Sequence, residues 1–508
     1  MDKAIIIDIN PVKCVAGYSR LTLPIINFEP FVGRISKNCT DQTIHEKYPD
    51  FIHPDDFSNL SVKHNLEIIP IFTTDETGVK AVNWDAYFFV VTSMLKTLYP
   101  IGAYPKEVTE AINSDPSFDE SSFMAKLNAT RNMIYNTEFN LKKRSFDDVI
   151  LFDYKSGNSR SPHFEGDLKL EQYDLASAKH TLFSGEGSDP VEILRGAFTT
   201  FATDHPIIFA TFPCETSEQS AQRLDYCFEI GLHSAQVLDR NTLISMAYER
   251  ISSFIIETFD KFTTLTPVVD AYALHKNTTI IPIGADNYIN LLENKLNALD
   301  KDMFAKKYSF SDDYFNFQKR HYILSMLFSK EYFVLSDEIL SSDPRRQREI
   351  IDNLKQCEEL PNFSPFYRNS FDLKDYHYKL PELIFDPQIF GLNIPKLSQY
   401  IYDTISKSER EEVKELLWNN VLIAGANPFS AEKRLQNELS MIEIVNKPKV
   451  SSLSTLSLKY LGQFDVAFLG GSIIETAEIF SKLWISREEW QSAQNMETKL
   501  NILADKSF

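Results

Sequence analysis

Residues 5–19, IIIDINPVKCVAGYS, contain an apolar run that ends in Asp8 and continues through a short turn. An apolar strand that ends in an aspartate is often followed by a turn that holds a nucleotide phosphate. Such turns rely on glycine, because the backbone must approach the phosphate closely and adopt positive φ. No glycine lies between Asp8 and Gly17, and Pro11 removes one backbone N–H donor. The stretch is therefore either a phosphate loop that has lost its chemistry or a strand end whose carboxylate caps a turn.

The composition argues against several other kinds of site. Lys and Arg total 52 against 71 Asp and Glu, so the net charge is −19 and direct nucleic-acid binding is not expected. No metal site is expected, because the histidines form no HExxH motif and CxxC pairing is missing among Cys14, Cys39, Cys214, Cys227 and Cys357. The apolar run in MDKAIIIDIN is too short to predict a signal peptide, and the sequence has no apolar run of about 18 residues. We therefore expect a soluble intracellular protein without a membrane segment.

The elements that would position Asp8 follow an alternating order. Residues 4–9 and 13–19 predict two strands around a turn, and residues 251–259 and 263–274 predict a second unit of the same kind. Further strands, each followed by a helical pattern, are predicted at 205–212, 419–426 and 464–471. This repetition indicates an α/β chain built from two similar halves.

Several segments resemble actin and its relatives, and they occur in the same order. Residues 468–490, FLGGSIIETAEIFSKLWISREEW, resemble the end of actin, with Gly-Gly-Ser-Ile, a Phe and then Trp-Ile-Ser before an acidic residue. The other matching segments are FVGRI at 31–35, GVKAVNWDA at 78–86, PVVDAYAL at 267–274, PELIFDPQIFGLNIPKLSQYIYDTI at 381–405 and NNVLIAGANPFSAEKRLQNELS at 419–440.

The resemblance implies an actin-like fold of two α/β lobes, which are duplicated ribonuclease-H-like domains with a nucleotide cleft between them. Residues 107–195 are rich in Asp, Ser and Asn, and we expect them to be a partly flexible insertion. The expected division is lobe I in residues 1–106 and 196–262, lobe II in 263–445, and a return to lobe I in 446–508.

By the same resemblance, the nucleotide cleft is degenerate. Asp8, Asp260 and Gly425 match cleft residues of the family, and Lys13 lies near the position of its phosphate-contacting lysine, which falls on Val15. The glycines of the two phosphate turns are replaced by Asn10, Val12, Phe259 and Lys261, and Glu257 stands where the family has Asp. The residues that would orient the attacking water fall on Arg240 and Thr264.

Three interpretations of this cleft follow. The first is an active ATPase of the actin and chaperone superfamily, which the replaced residues disfavour. The second is a nucleotide binder without turnover, which stays open because Asp8, Asp260 and Gly425 are present. The third, which we favour, is a structural remnant with no catalytic residue, no metal and no required cofactor.

The family also binds partner helices in an apolar groove, whose wall is the helix after the Gly-Gly-Ser segment. The corresponding groove residues here are Leu469, Ile473, Ile474, Ala477 and Ile479. The resemblance then implies a non-catalytic subunit of a nuclear chromatin-remodelling complex of the SWI/SNF type. Its expected partners are another actin-related protein and a helical segment of the remodeller ATPase. The alternative is a cytoplasmic scaffold of the dynactin pointed-end type.

Overall fold

The structure is a computed structural model. It describes residues 4–19, 24–47, 51–57, 62, 64–98, 205–299, 304, 310–327, 379–426, 431–442, 448–452, 466–477, 480, 482–493 and 495–506. The expected insertion, 107–195, and the groove residue Ile479 lie outside the described residues.

The described strands are β1 Ile5–Ile9, β2 Cys14–Tyr18, β3 Ile26–Phe28, β4 Phe31–Ile35, β5 Leu66–Pro70, β6 Phe72–Asp75, β7 Gly78–Val82, β8 Ile207–Ala210, β9 Ser234–Leu238, β10 Ser253–Thr258, β11 Thr263–Val269, β12 Tyr272–Ala273, β13 Thr279–Ile281, β14 Val421–Gly425, β15 Val450–Ser451 and β16 Ile485–Ser486. The described α-helices are α1 Gln42–Lys47, α2 Trp84–Leu98, α3 Ser217–Glu229, α4 Arg240–Ala247, α5 Ala285–Leu299, α6 Asp312–Leu327, α7 Glu382–Phe385, α8 Leu397–Ser406, α9 Glu411–Trp418, α10 Glu432–Ile442, α11 Val466–Glu475, α12 Arg487–Ser492 and α13 Met496–Lys506.

Two main sheets repeat one arrangement. The first has the strand order β16-β9-β8-β1-β2-β3, and the second has the order β12-β11-β10-β14-β15. In each sheet an antiparallel hairpin, β1–β2 or β10–β11, pairs through its first strand with a parallel strand, β8 or β14. The predicted α/β fold of two similar halves is therefore confirmed.

Each sheet has its own core, and a third core lies between the sheets. The helices α2 and α3 cover the outer face of the first sheet, and α5, α8 and α10 contribute to the core of the second. The middle core joins Ile6 of β1 and Ile255 of β10 to Leu243 of α4 and Phe468 of α11. The helices α4 and α11 therefore lie between the two lobes and connect them.

One predicted strand is wrong. Residues 464–471 were expected to form a strand, but the structure forms α11 from Val466 to Glu475. This helix is buried from Val466 to Ser472, so its apolar residues surround it and show no helical periodicity. A short apolar run without periodicity does not distinguish a buried strand from a buried helix.

The second sheet begins earlier in the chain than the expected boundary at residue 263. The strand β10, Ser253–Thr258, pairs with β11 and β14 and not with any strand of the first sheet in the part of the chain described. After β15 the chain returns to the first lobe, where β16 pairs with β9. None of the helices that the structure describes combines the length and apolarity needed to span a bilayer.

Candidate nucleotide cleft

The turn between β1 and β2 uses its backbone donors within the turn itself. The Asn10 side-chain oxygen accepts hydrogen bonds from the backbone N–H groups of Val12, at 3.0 Å, and Lys13, at 3.1 Å. The Asn10 amide also donates to Asp8 Oδ1 at 3.1 Å, and its backbone N–H donates to the Lys13 carbonyl at 3.0 Å. Donors that a phosphate would need are therefore already bonded to protein atoms.

Three charged side chains form a bridge between the lobes at the ends of β1 and β10. Arg240, the first residue of α4, contacts Asp8 Oδ2 of β1 through Nη1. Its Nε donates to Glu257 Oε1 of β10 at 2.6 Å. All three side chains are almost completely shielded from solvent. We call this set the central bridge, and it joins the first sheet to the second through a single guanidinium.

The charges of the central bridge are mutually dependent. Burial opposes the charge on Arg240, but Asp8 and Glu257 outweigh that effect and hold the pKa of Arg240 above its ordinary value. Burial raises the pKa of Glu257 even though Arg240 acts in the opposite direction. Two buried carboxyl groups thus depend on one cation for their compensation.

The second turn, between β10 and β11, is filled by aromatic side chains. Phe259 and Phe262 are buried, with ring centroids 5.1 Å apart, and the Phe259 N–H donates to the Phe262 carbonyl at 2.8 Å. The turn residue Lys261 donates from Nζ to the Thr74 carbonyl of β6 at 2.9 Å. Bulky side chains and an internal lysine contact therefore replace the small glycine turn that a phosphate requires.

Asp260 forms a second link between the lobes. Its Oδ2 accepts a hydrogen bond from the Thr74 hydroxyl, and burial raises the pKa of Asp260 despite this bond. Asp8 and Asp260, which both match cleft residues of the family, therefore have different protein partners. The partner of Asp260, Thr74, carried no signal in the sequence that would have identified it.

Gly425, at the end of β14, is required by the backbone. Its φ is +81°, and a Cβ added there would lie 2.3 Å from the Thr258 carbonyl oxygen. The next residue, Ala426, forms a small apolar contact group with Ala285 and with Val12 of the first turn. Val12, in the turn between β1 and β2 of the first lobe, thus contacts residues of the second lobe. Lys13 beside it is half-buried.

The expected groove residues divide into buried and exposed positions. Leu469 and Ile474 belong to the core between the sheets, and Ile474 is only 4% exposed. Ile473 is 38% exposed, and Ala477 is also exposed. Of the expected groove residues that the structure describes, Ile473 and Ala477 therefore lie at the surface, while Leu469 and Ile474 lie in the core beneath them.

Comparison with known proteins gives consistent matches along the chain. A model of the Actin family matches residues 2–496. Actin-related protein 4 of Arabidopsis thaliana is 24% identical over 321 residues, which cover 57% of this chain and 70% of that protein. An actin-like protein of Neurospora crassa is 20% identical over 303 residues, which cover 57% of this chain and 71% of that protein. Centractin of Saccharomyces cerevisiae is 21% identical over 290 residues, which cover 56% of this chain and 69% of that protein.

Proposed function

The chain belongs to the actin family, and from that premise we propose that it is a non-catalytic actin-related subunit of a nuclear chromatin-remodelling complex. The observation that carries the non-catalytic part of this proposal is the central bridge, in which Arg240 pairs with both Asp8 and Glu257. The assignment to a remodelling complex rests on the resemblance of the sequence to actin-related proteins. A group that holds two buried carboxylates cannot also orient a water molecule for hydrolysis without breaking the bridge. On this proposal the protein acts by binding its partners through its surface, and it catalyses no reaction.

An adenine nucleotide with a divalent cation, the ligand expected from the actin-like fold, does not fit the residues of the cleft. The cation would have to replace Arg240 at Asp8, and the phosphates would compete with Asn10 for the N–H groups of Val12 and Lys13. Phe259 and Phe262 fill the second turn. We therefore derive no catalytic step from this cleft.

The proposed partner surface is the exposed C-terminal end of α11 and the residues that directly follow it. Ile473 and Ala477 lie one helical turn apart in sequence, and Ile473 exposes 38% of its surface although it belongs to an otherwise buried helix. An apolar residue at such a position suits the apolar face of a partner helix. We propose a helical segment of the remodeller ATPase as that partner, with a second actin-related protein beside it.

We expect Ile473→Asp to weaken partner binding by about 100-fold or more, because a carboxylate buried in an apolar interface costs roughly 3 kcal/mol. Exposed in the free subunit, the same aspartate should leave the melting temperature close to that of the wild type. Calorimetric titration of the subunit with the partner helix measures the first effect, and thermal melting measures the second.

Met441→Asp is the matched control, because Met441 is also apolar and 66% exposed but lies on α10 in the other lobe. It should bind the partner helix like the wild type. Equal binding by Ile473→Asp and the wild type would remove α11 from the interface, and equal loss in both variants would show a general effect of added charge.

The second candidate function is a cytoplasmic scaffold subunit, which the match to centractin favours. Affinity purification of the full chain from cells, followed by mass spectrometry of the co-purifying proteins, distinguishes the two. We expect a remodeller ATPase and another actin-related protein. A dynactin set in their place would overturn the nuclear assignment in favour of the scaffold.

A further inference from the structure

The small sheet of β4 and β5 shares its core with a helix of the other lobe. The buried residues of this core on the lobe I side are Ile35, Ile52, Phe57, Val62 and Leu66. Tyr314 of α6 completes the same core and is itself buried. Phe317, one turn later in α6, contacts Phe57 and Phe31 edge-to-face, with ring centroids 5.5 Å and 6.0 Å apart.

The other end of α6 is anchored in lobe II. Tyr322, Ile323 and Leu327 are buried in the core of the second sheet. A single helix of 16 residues therefore has its first half in the core of the small sheet and its second half in the core of lobe II. A rigid helix fixed at both ends couples the positions of the two cores.

Polar contacts support the same connection. The backbone N–H of Ile68, on β5, donates to Asp313 Oδ2 of α6 at 3.2 Å. Since β5 pairs with β4 alone in the described sheets, this contact satisfies a donor on its other edge. Glu29, which precedes β4, contacts His321 Nδ1 at 2.5 Å. Both contacts cross from lobe I to lobe II.

We propose that the mouth of the cleft is closed by this shared core, so that the lobes separate only when the β4–β5 sheet unfolds locally. A two-stranded sheet is marginally stable by itself and needs packing against another element. Here α6, which is anchored in lobe II, provides that packing on the side of Phe57 and Leu66, while Val32 of β4 packs into the core of lobe I. Opening the cleft would expose Phe57 and Leu66 and remove the packing that Tyr314 gives to the core of β4 and β5. A hinge movement between the lobes would therefore have to break this shared core.

This proposal does not depend on the nuclear role or on the partner helix. It concerns the relation between the lobes, and it predicts that the protein presents one fixed lobe arrangement to whatever it binds. The observable quantity is the hydrogen-exchange protection of β4 and β5, because local unfolding exposes their amides.

The test is hydrogen exchange with mass spectrometry on the full chain, for wild type and Tyr314→Ala. We expect exchange in peptides covering 31–35 and 66–70 to rise by roughly ten-fold or more in Tyr314→Ala, as local opening becomes easier. Peptides covering β10 and β14 should keep wild-type protection. If Tyr314→Ala does not fold, Phe317→Leu is the milder variant, and a smaller rise confined to the same peptides is expected.

Asn316→Ala is the matched control, because Asn316 lies in the same turn of α6 but is exposed. It should exchange like the wild type. Unchanged protection of β4 and β5 in Tyr314→Ala and Phe317→Leu would show that the sheet is independent of α6 and would overturn the proposal. Complete exchange of β4 and β5 in the wild type at the earliest time point would overturn it as well.

Discussion

Arg240→Leu is expected to lower the free energy of unfolding by roughly 3–5 kcal/mol, since removing one partner of a buried ion pair leaves an uncompensated buried charge. Here two carboxyl groups lose their partner at once, because Arg240 contacts Asp8 and pairs with Glu257 at 2.6 Å. Leucine fills part of the space but offers no hydrogen bond to either oxygen. Chemical denaturation followed by circular dichroism measures the loss.

A triple variant provides the control for this substitution. Arg240→Met together with Asp8→Asn and Glu257→Gln removes all three charges while keeping side chains of similar size. We expect it to recover much of the lost stability, because replacing a whole buried ion group by neutral residues is often close to neutral. If Arg240→Leu loses less than about 1 kcal/mol, the carboxyl groups are not held by the guanidinium, and the central bridge is not a structural link.

Gly470→Ala is expected to cost about 3 kcal/mol or more, because a well-packed contact cannot absorb an added methyl group. A Cβ at Gly470 would lie 1.8 Å from the backbone carbonyl oxygen of Leu243, so α11 and α4 would have to move apart. Both helices lie in the core between the lobes, and a backbone atom cannot rotate away as a side chain can. Thermal melting of the purified variant measures the effect.

Gly471→Ala is the matched control on the same helix. A Cβ there would lie 3.1 Å from Cγ2 of the Ile6 side chain, which would have to give by only a few tenths of an ångström. We expect a loss of about 1 kcal/mol or less, since this approach is much less close than the one at Gly470 and involves a side chain instead of the backbone. Equal losses in the two variants would show that the close approach of α11 to α4 does not determine stability.

The strand–turn–strand units at residues 5 and 252 could be predicted from the sequence, because each has two apolar runs that are separated by a short turn with polar residues in it. The structure confirms both hairpins, with Asp8 opposite Val15 and Glu257 opposite Thr264. The helix at Trp84 could also be predicted, since Asn83 accepts a hydrogen bond from the Ala86 N–H as an N-cap does. Local side-chain chemistry determined these elements.

The segment around Gly470 could not be predicted, because its conformation is determined by what surrounds it. A helix buried between two sheets has no polar face, and Gly470 is required by the close approach of α4. The local sequence pattern indicates neither the complete burial of this helix nor the close approach of α4.

In the candidate cleft, too, some residues could be identified from the sequence, whereas their contacts with other elements could not. Comparison with the family located Asp8, Asp260 and Gly425 and identified the replaced glycines. It did not reveal that Arg240 pairs with Glu257 or that Thr74 bonds Asp260, since these contacts depend on how separate elements pack against one another. Asn10 could have been recognised as a turn cap from its residue type, because its side chain bonds the N–H groups two and three residues later.

The most direct test of the central claim, that the cleft is occupied by the protein's own side chains, is the nucleotide content of the purified chain. The protein is incubated with magnesium and ATP, separated from free nucleotide by gel filtration, denatured, and its adenine nucleotides are quantified by chromatography. We expect no more nucleotide than a protein of similar size without a nucleotide site carries through the same column. One ATP or ADP bound per chain would contradict the account, because it would require the central bridge and the two turns to open for the ligand.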